Sequence, residues 1–298
     1  METTNYHSRC PVCQCRDLTE KYVIKGYHIA LCRFCRLMFV RERLTQEDLD
    51  RYYNKELIEL NAPDTCVYTD QDNTDNLKYY YRRLAAMIRQ RMPRGAVLDI
   101  GCNTGLFLDV MDGFDRYGIE RSITHGRVAA EKYGDHIFLG AFEDYQAPEG
   151  FLFDCITLQD VFDHMADPVG VLKKCRRLLK ANGLIVIKVH DFSCLYAKMT
   201  GKNFYAFLPP LHLFYYDRRS LMTALDRAGF DLAASMHIGH VLFLSTVFYR
   251  LCWRERKGLF YRFYRALDGT WLGRRKIYKN LHDIITVFGM RRESEEGG

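Results

Sequence analysis

No apolar run in this sequence is long enough to cross a bilayer. The longest, Val241 to Tyr249, is already broken by Ser245 and Thr246, against about 20 residues for a spanning helix. The opening stretch METTNYHSRC lacks the apolar segment of a secretory signal, so a cytoplasmic location is expected. Internal repeats and low-complexity tracts are also missing. The eleven cysteines are therefore read for a reducing compartment, where disulfides are rare and close pairs more often bind metal. Most of the chain also lacks an excess of basic charge. The formal net charge is +6, yet Val241 to Asn280 alone holds ten Lys/Arg against Glu255 and Asp268, which leaves the remainder slightly acidic. A single basic segment of this kind suits a solvated helix face, nucleic acid or an anionic membrane surface.

What is present belongs to an ordinary globular protein. Its 298 residues, 48% hydrophobic and 27% charged, suffice for one large α/β domain and a small appendage. Residues 1–42 are cysteine-rich with short polar turns, and 43–92 read as a helical linker or cap. Thr45 and Asp48 sit like a capping pair at the start of a helix from Leu44 to Tyr53. Leu77, Tyr80, Tyr81, Leu84, Met87 and Ile88 then recur at helical period until Pro93 and Gly95. From residue 93 onward, strand-length apolar runs (Ala96–Ile100, Tyr117–Glu120, Phe153–Leu158, Leu184–Val189) alternate with helical patterns such as Val169 to Leu179. That rhythm implies a parallel sheet covered on both faces. Phe230 to His237 and Leu281 to Met290 read as two further strands with the basic segment, about 241–280, inserted between them as a helical excursion.

The run Val97-Leu-Asp-Ile-Gly-Cys-Asn-Thr-Gly105 follows a strand and is expected to open a helix over Leu106 to Met111. Glycines there let a ligand approach the backbone, and a helix start offers free N–H groups. A dinucleotide fold would carry Gly-x-Gly-x-x-Gly. Here Asn103 stands where a middle glycine is expected, and asparagine tolerates positive φ better than other side chains. The acid Asp99 beside the turn argues against a pyrophosphate and suits a ligand bearing an ammonium and a sulfonium, as S-adenosylmethionine (SAM) does. Twenty-one residues on, Glu120 ends the next strand signal, where a carboxylate can accept from both hydroxyls of a ribose.

These residues carry a resemblance. LDIGCNTG resembles the first motif of class I SAM-dependent methyltransferases, and FDCITLQDVFDHMADPVGVLKKCRRLLKANGLIVI resembles their stretch from fourth to fifth strand. LHLFYYDRRSLMTALDRAGF and LHDIITVFGMRR are similar to segments of the branch that also carries a zinc ribbon. The resemblance implies a Rossmann-like, mostly parallel seven-stranded sheet whose last strand is antiparallel and inserted between the fifth and sixth. It implies that Asp99, Gly101, Asn103 and Gly105 line the methionine end of SAM and that Glu120 holds the ribose. Glu143 or Asp144 would lie near the adenine, and Gln159 and Asp160 beside the cofactor. The sequence departs from the pattern at Asn103 and at Asn182, each in place of glycine. Many members of the zinc-ribbon branch act in sugar or surface-polysaccharide pathways, which makes a nucleotide-linked sugar or glycan intermediate an expected small-molecule acceptor.

Two Cys-x-x-Cys pairs, Cys10/Cys13 and Cys32/Cys35, stand eighteen residues apart, a spacing of four-cysteine zinc ribbons. Four thiolates with no open position make such a metal structural, and about forty residues need it to fold. Cys15 is an alternative to Cys13, though the spacing favours Cys13. The other six cysteines, Cys66, Cys102, Cys155, Cys175, Cys194 and Cys252, read as ordinary buried residues.

Methyl transfer asks mainly for alignment, with a base only where the acceptor is a hydroxyl or carbon acid. His212, in a turn after Pro209-Pro210 with Tyr205, Tyr215 and Tyr216 close in sequence, is the first candidate base. His164 is the second, and His190 is open. Nucleic acid as acceptor is disfavoured, because Phe260, Phe263, Tyr264 and Leu267 recur at helical spacing like one apolar face rather than as stacking platforms. The same segment with its arginines fits a peripheral membrane contact, a lid or a dimer contact. A catalytically silent SAM-binding scaffold is the reading from another class, and Asp99 and Glu120 together argue against it.

Overall fold

The computed structural model describes residues 6–44, 71–251 and 257–293. The capped helix expected from Leu44 to Tyr53 falls outside them beyond Leu44, as do Cys66 and Cys252. Near the N-terminus, β1 (Leu18–Ile24) and β2 (Tyr27–Cys32) form a hairpin, and β3 (Met38–Val40) pairs with β2. The hairpin turns through Lys25 and Gly26, both at positive φ, as a two-residue turn matched to strand twist requires.

Helix α1 (Gln71–Arg91) buries Tyr80, Leu84, Ala85 and Ile88, the stripe expected from its periodicity, and stops before Pro93. A βα alternation follows: β4 (Gly95–Ile100), β5 (Phe114–Glu120), α2 (Ile123–Tyr133), β6 (Ile137–Leu139), β7 (Phe153–Gln159), α3 (Pro168–Leu178) and β8 (Leu179–His190). Then come α4 (Leu195–Thr200), β9 (Phe214–Tyr215), α5 (Arg218–Arg227) and β10 (Phe230–Met236). The insertion contributes β11 (His240–Phe243), α6 (Leu244–Leu251), α7 (Gly258–Leu267) and β12 (Lys276–Lys279), before β13 (Ile284–Arg291) closes the fold. Local chemistry sets several boundaries. Asp167 caps α3 by accepting from the Gly170 N–H with Pro168 behind it, and Asp217 and Ser220 form a reciprocal capping box on α5.

The main sheet runs β10-β13-β8-β7-β4-β5-β6. Strands β4 to β8 pair in parallel, and β13 lies antiparallel between β8 and β10, the expected Rossmann-like order. Alternation along the strands sends neighbouring side chains to opposite faces. Leu98, Ile100, Ile156, Ile185 and Ile187 pack in one core with Leu172 and Cys175 of α3 and Leu221 and Leu225 of α5. Val97, Cys155, Leu184 and Val186 pack in the other with Tyr80 and Leu84 of α1 and Ala129 of α2.

Two features differ from the sequence reading. The helix expected over Leu106 to Met111 is a single 3-10 turn at Leu108–Val110. Gly113, at positive φ, turns the chain directly into β5, and Leu106, Phe107, Leu108, Val110 and Met111 are all buried. This leaves no polar face for a surface helix. Secondly, the N-terminal sheet does not stand alone. Met38 and Phe39 of β3 pair with Tyr215 and Phe214 of β9, and Cys10, Val12, Leu37 and Phe39 share a core with Phe162 and Tyr216. The insertion is a two-stranded stalk, β11 with β12, topped by α6 and α7, which pack through Phe248 on Phe263 and Tyr249 on Tyr264.

Candidate functional site

The turn after β4 is built as its residues dictate. Gly101, Asn103 and Gly105 have φ of 77°, 51° and 80°, so Asn103 adopts the left-handed conformation that a glycine would otherwise supply. Its side-chain oxygen accepts from the Thr104 N–H at 2.8 Å, local support for that conformation. A Cβ at Gly105 would meet the Tyr133 ring at 2.8 Å, so that glycine is fixed by packing as well. Glu120, at the end of β5, ties this turn to the next one. Its carboxylate accepts from the Asn103 N–H and from the Ser122 N–H, both at 2.8 Å. Each carboxylate oxygen keeps a second lone pair, which a ribose hydroxyl can use.

Asp99 lies buried inside the end of β4 and accepts from the Thr157 hydroxyl. Burial pushes its carboxyl up to about 7. Hydrogen bonding from Thr157 and the nearby Gln159 amide pulls it back, and the Glu120 charge adds to the rise. Neither atom of the Gln159 amide has a hydrogen-bond partner of ordinary geometry, nor has Asp160 Oδ1. These unpartnered groups stand at the carboxyl end of β7, where open α/β sheets take ligands. They fit a cofactor with an ammonium and several hydroxyls, since buried polar atoms are costly unless paired. Glu143 and Asp144 occupy an exposed turn after β6, and Lys174 Nζ donates to the carbonyls of Phe142 and Glu143 at 2.6 and 2.8 Å.

The three histidines named from the sequence converge at the same end of the sheet. The His212 ring lies 4.8 Å from His164 and 5.6 Å from His190 between centroids. His212 Nδ1 donates to the Ala206 carbonyl at 2.9 Å, which fixes the tautomer and leaves Nε2 with a free lone pair. Asp163, 2% exposed, places a carboxylate oxygen 3.5 Å from His212 Nδ1 and another 3.6 Å from His164 Nε2. Burial lowers both His164 and His190 to about 4, so both are neutral rings at neutral pH.

Lys188, Asp163 and Asp283 of this rim were not singled out from the sequence. Lys188, 3% exposed near the carboxyl end of β8, pairs with Asp160 and lies 4.5 Å above the Tyr80 ring. Burial alone would raise the Asp160 carboxyl, but the Lys188 ammonium holds it below the usual carboxylate range. Tyr205 donates to Asp283 at 2.8 Å, as does Lys279, and its ring stands edge-on to His190 at 5.4 Å. A lysine within the apolar run Ile185-Val-Ile-Lys188-Val was a legible signal, since a strand covered on both faces buries a charge only when it is paired. Asp163 and Asp283 gave no comparable signal.

In the N-terminal sheet, Cys10, Cys13, Cys32 and Cys35 are buried and their sulfurs lie within 4.8 Å of one another. Cys10 and Cys35 are 3.5 Å apart, and Cys13 and Cys32 are 3.4 Å apart. A tetrahedral zinc with bonds of 2.3 Å has sulfurs about 3.8 Å apart, so the four fit that ion. Cys15 stands outside the cluster and accepts from the Asp17 N–H. Cys102, Cys155, Cys175 and Cys194 are buried, as expected of packing residues.

A sheet of this order, with a glycine–asparagine turn after its first strand and an acid at the end of its second, defines the class of Rossmann-like SAM-dependent methyltransferases. The chain belongs to the family described as a methyltransferase domain, whose pattern matches residues 74–235, more than half of its length. Among curated relatives, it is similar to the ubiquinone biosynthesis O-methyltransferase of Roseobacter denitrificans. The two are 33% identical over 154 residues, covering 45% of this chain and 62% of the relative. The protein of the same name from Cereibacter sphaeroides is 38% identical over 96 residues, 30% of this chain and 39% of the relative. The chain therefore spans less than two thirds of the curated relatives it matches. Among solved structures, 1,6-didemethyltoxoflavin-N1-methyltransferase from Burkholderia thailandensis, with S-adenosylhomocysteine bound, aligns with TM-score 0.53. Its identity is 12%, over 92% of this chain and 99% of that one. Magnesium protoporphyrin IX methyltransferase from Synechocystis aligns with TM-score 0.52 and 13% identity, over 83% of this chain and 100% of that one. At such identities the likeness is one of fold.

Proposed function

We propose that the chain is a SAM-dependent methyltransferase that methylates a hydroxyl of a small-molecule acceptor. The observation that carries this reading is the left-handed turn at Gly101, Asn103 and Gly105 joined to Glu120, beside the Gln159 amide and Asp160 Oδ1, which have no hydrogen-bond partner of ordinary geometry. Asp99, Gly101, Asn103 and Gly105 hold the methionine end of SAM, and Glu120 takes the ribose hydroxyls. Glu143 or Asp144 flanks the adenine, and Gln159 and Asp160 close the site after β7. When bound, SAM supplies a methyl group activated on a sulfonium. An ammonium near Asp99 keeps that buried carboxylate ionised at neutral pH.

His212 is the base: its Nε2 accepts the proton of the acceptor hydroxyl, with Nδ1 fixed by Ala206 and Asp163 placed to stabilise the imidazolium. His164, buried and lowered to about 4, positions His212 by edge contact rather than taking the proton. A hydroxyl acceptor is favoured by the names of the curated relatives, which are O-methyltransferases. The nucleotide-sugar or glycan acceptor expected from the zinc-ribbon branch is a narrower form of the same reading. We propose likewise that residues 1–42 hold structural zinc through Cys10, Cys13, Cys32 and Cys35, ahead of a linker at 43–92 and a methyltransferase domain at 93–298. Isothermal titration with SAM and with S-adenosylhomocysteine tests the cofactor. Micromolar binding, weakened at least about tenfold in Glu120→Ala by loss of the ribose hydrogen bonds, is the expected result. No binding of either compound to the folded, zinc-loaded protein would sink the reading.

A further inference from the structure

The insertion leaves an amphipathic surface that nothing among the described residues covers. Helix α7 has no buried residue. Tyr261, Tyr264 and Leu267 are half-buried, Tyr264 against Tyr249 of α6; Leu259 and Phe260 are exposed, and Phe263, beside Phe248 of α6, is still 45% exposed. At 100° per residue, Leu259 and Phe263 share one line with Ala266, Phe260 lies beside them, and Arg262 and Arg265 flank the opposite edge. Following the helix, Trp271 is 74% exposed, with the Arg275 guanidinium 5.5 Å from its ring centre. Leu272 and, on the stalk, Ile277 are exposed apolar residues as well. The segment 241–280 carries ten basic residues against two acids.

We infer that this hairpin docks the enzyme on an anionic lipid surface. Exposed Leu, Phe and Trp beside arginines is the composition that seats a helix at the headgroup boundary, with the apolar side chains inserted and the cations among the phosphates. Among the described residues no helix is long and apolar enough to cross a membrane, so the contact is one of docking. A second copy of the chain would bring like charge against like charge at this face, which opposes self-association. The stalk is rooted in the rim already described. His240 of β11 stacks on Tyr80 at 4.8 Å, the ring that carries Lys188. Lys279 of β12 reaches Asp283, which holds Tyr205. A docked hairpin therefore bears on the same residues that surround the acceptor.

The test is co-sedimentation of the full chain with vesicles of phosphatidylcholine alone and of phosphatidylcholine mixed with phosphatidylglycerol, at low and at physiological salt. Binding to the mixed vesicles that weakens with salt is expected, with little to the neutral ones. R262A/R265A should weaken it about thirtyfold, at roughly fivefold per cation. Trp271→Ser should weaken it about tenfold at unchanged charge. Both changes lie on exposed side chains, and SAM titration reports whether the fold is intact. It also separates failure of docking from failure of the proposed function. Absence of binding to anionic vesicles, or binding indifferent to both variants, overturns the inference. Tight single-stranded RNA binding by fluorescence anisotropy, or a dimer in sedimentation velocity that R262A/R265A alters, would in that event reassign the surface.

Discussion

Asn103 shows how one residue can depart from a pattern and still obey its physics. Its φ of 51° is a conformation that costs most L-residues about 1–2 kcal/mol, and its own amide supports the turn. Asn103→Gly should leave denaturant stability and SAM affinity near wild type. Asn103→Ala should lose about 1 kcal/mol of stability, measurable by urea unfolding, and bind SAM more weakly. The buried histidines set a pH dependence. His164 and His190 are lowered to about 4, below the ~6.5 of an exposed ring. The unfolded chain therefore takes up protons first. Stability is full above about pH 6.5 and declines as pH falls toward about 4, by at most about 3 kcal/mol for each ring. Thermal melts across that range should show the decline, and His164→Asn should flatten it. The positions of Asp99, Glu120 and Asn103 were legible because a turn fixes side-chain direction over a few residues. The partnership of His212 with Asp163 was not, since it depends on a contact across nearly fifty residues of chain with no periodic signal.

At the scale of elements, long apolar runs were readable and short or irregular pieces were not. Strands β4, β7 and β8 announced themselves by composition, as did α1 by its stripe. The 3-10 turn at Leu108–Val110 read as a helix because its apolar residues have no polar face to reveal a single turn. Strand β9, two residues long, carries no period at all, yet it completes the N-terminal sheet. That pairing couples the cysteine cluster to the methyltransferase core. Chelation of zinc, or Cys35→Ser, should therefore lower the melting temperature of the whole chain by more than about 10 °C. Calorimetry should show one shifted transition. A separate small transition with the main one unmoved would mean that the ribbon folds independently.

Across the whole molecule, topology places chemistry at one end of the sheet. The turn after β4, Glu120 closing β5, Gln159 and Asp160 at the end of β7 and His190 closing β8 all stand at carboxyl ends of parallel strands, where such folds take ligands. The long stretch between β8 and β9 completes the rim from the side. Its two ends meet, since the Phe192 N–H donates to the Tyr216 carbonyl at 2.9 Å, and its far end is stitched to β3. Inside this closed span, Phe204 and Phe207 pack on Phe192, while Tyr205 and His212 face the histidine rim. A segment fastened at both ends behaves as an exchangeable cassette: lengthening it costs only a logarithmic closure entropy. Under the proposed function, a change of acceptor would be written in the residues of this span that face the histidine rim, with the cofactor turn, the sheet and the core of Phe204 and Phe207 left untouched.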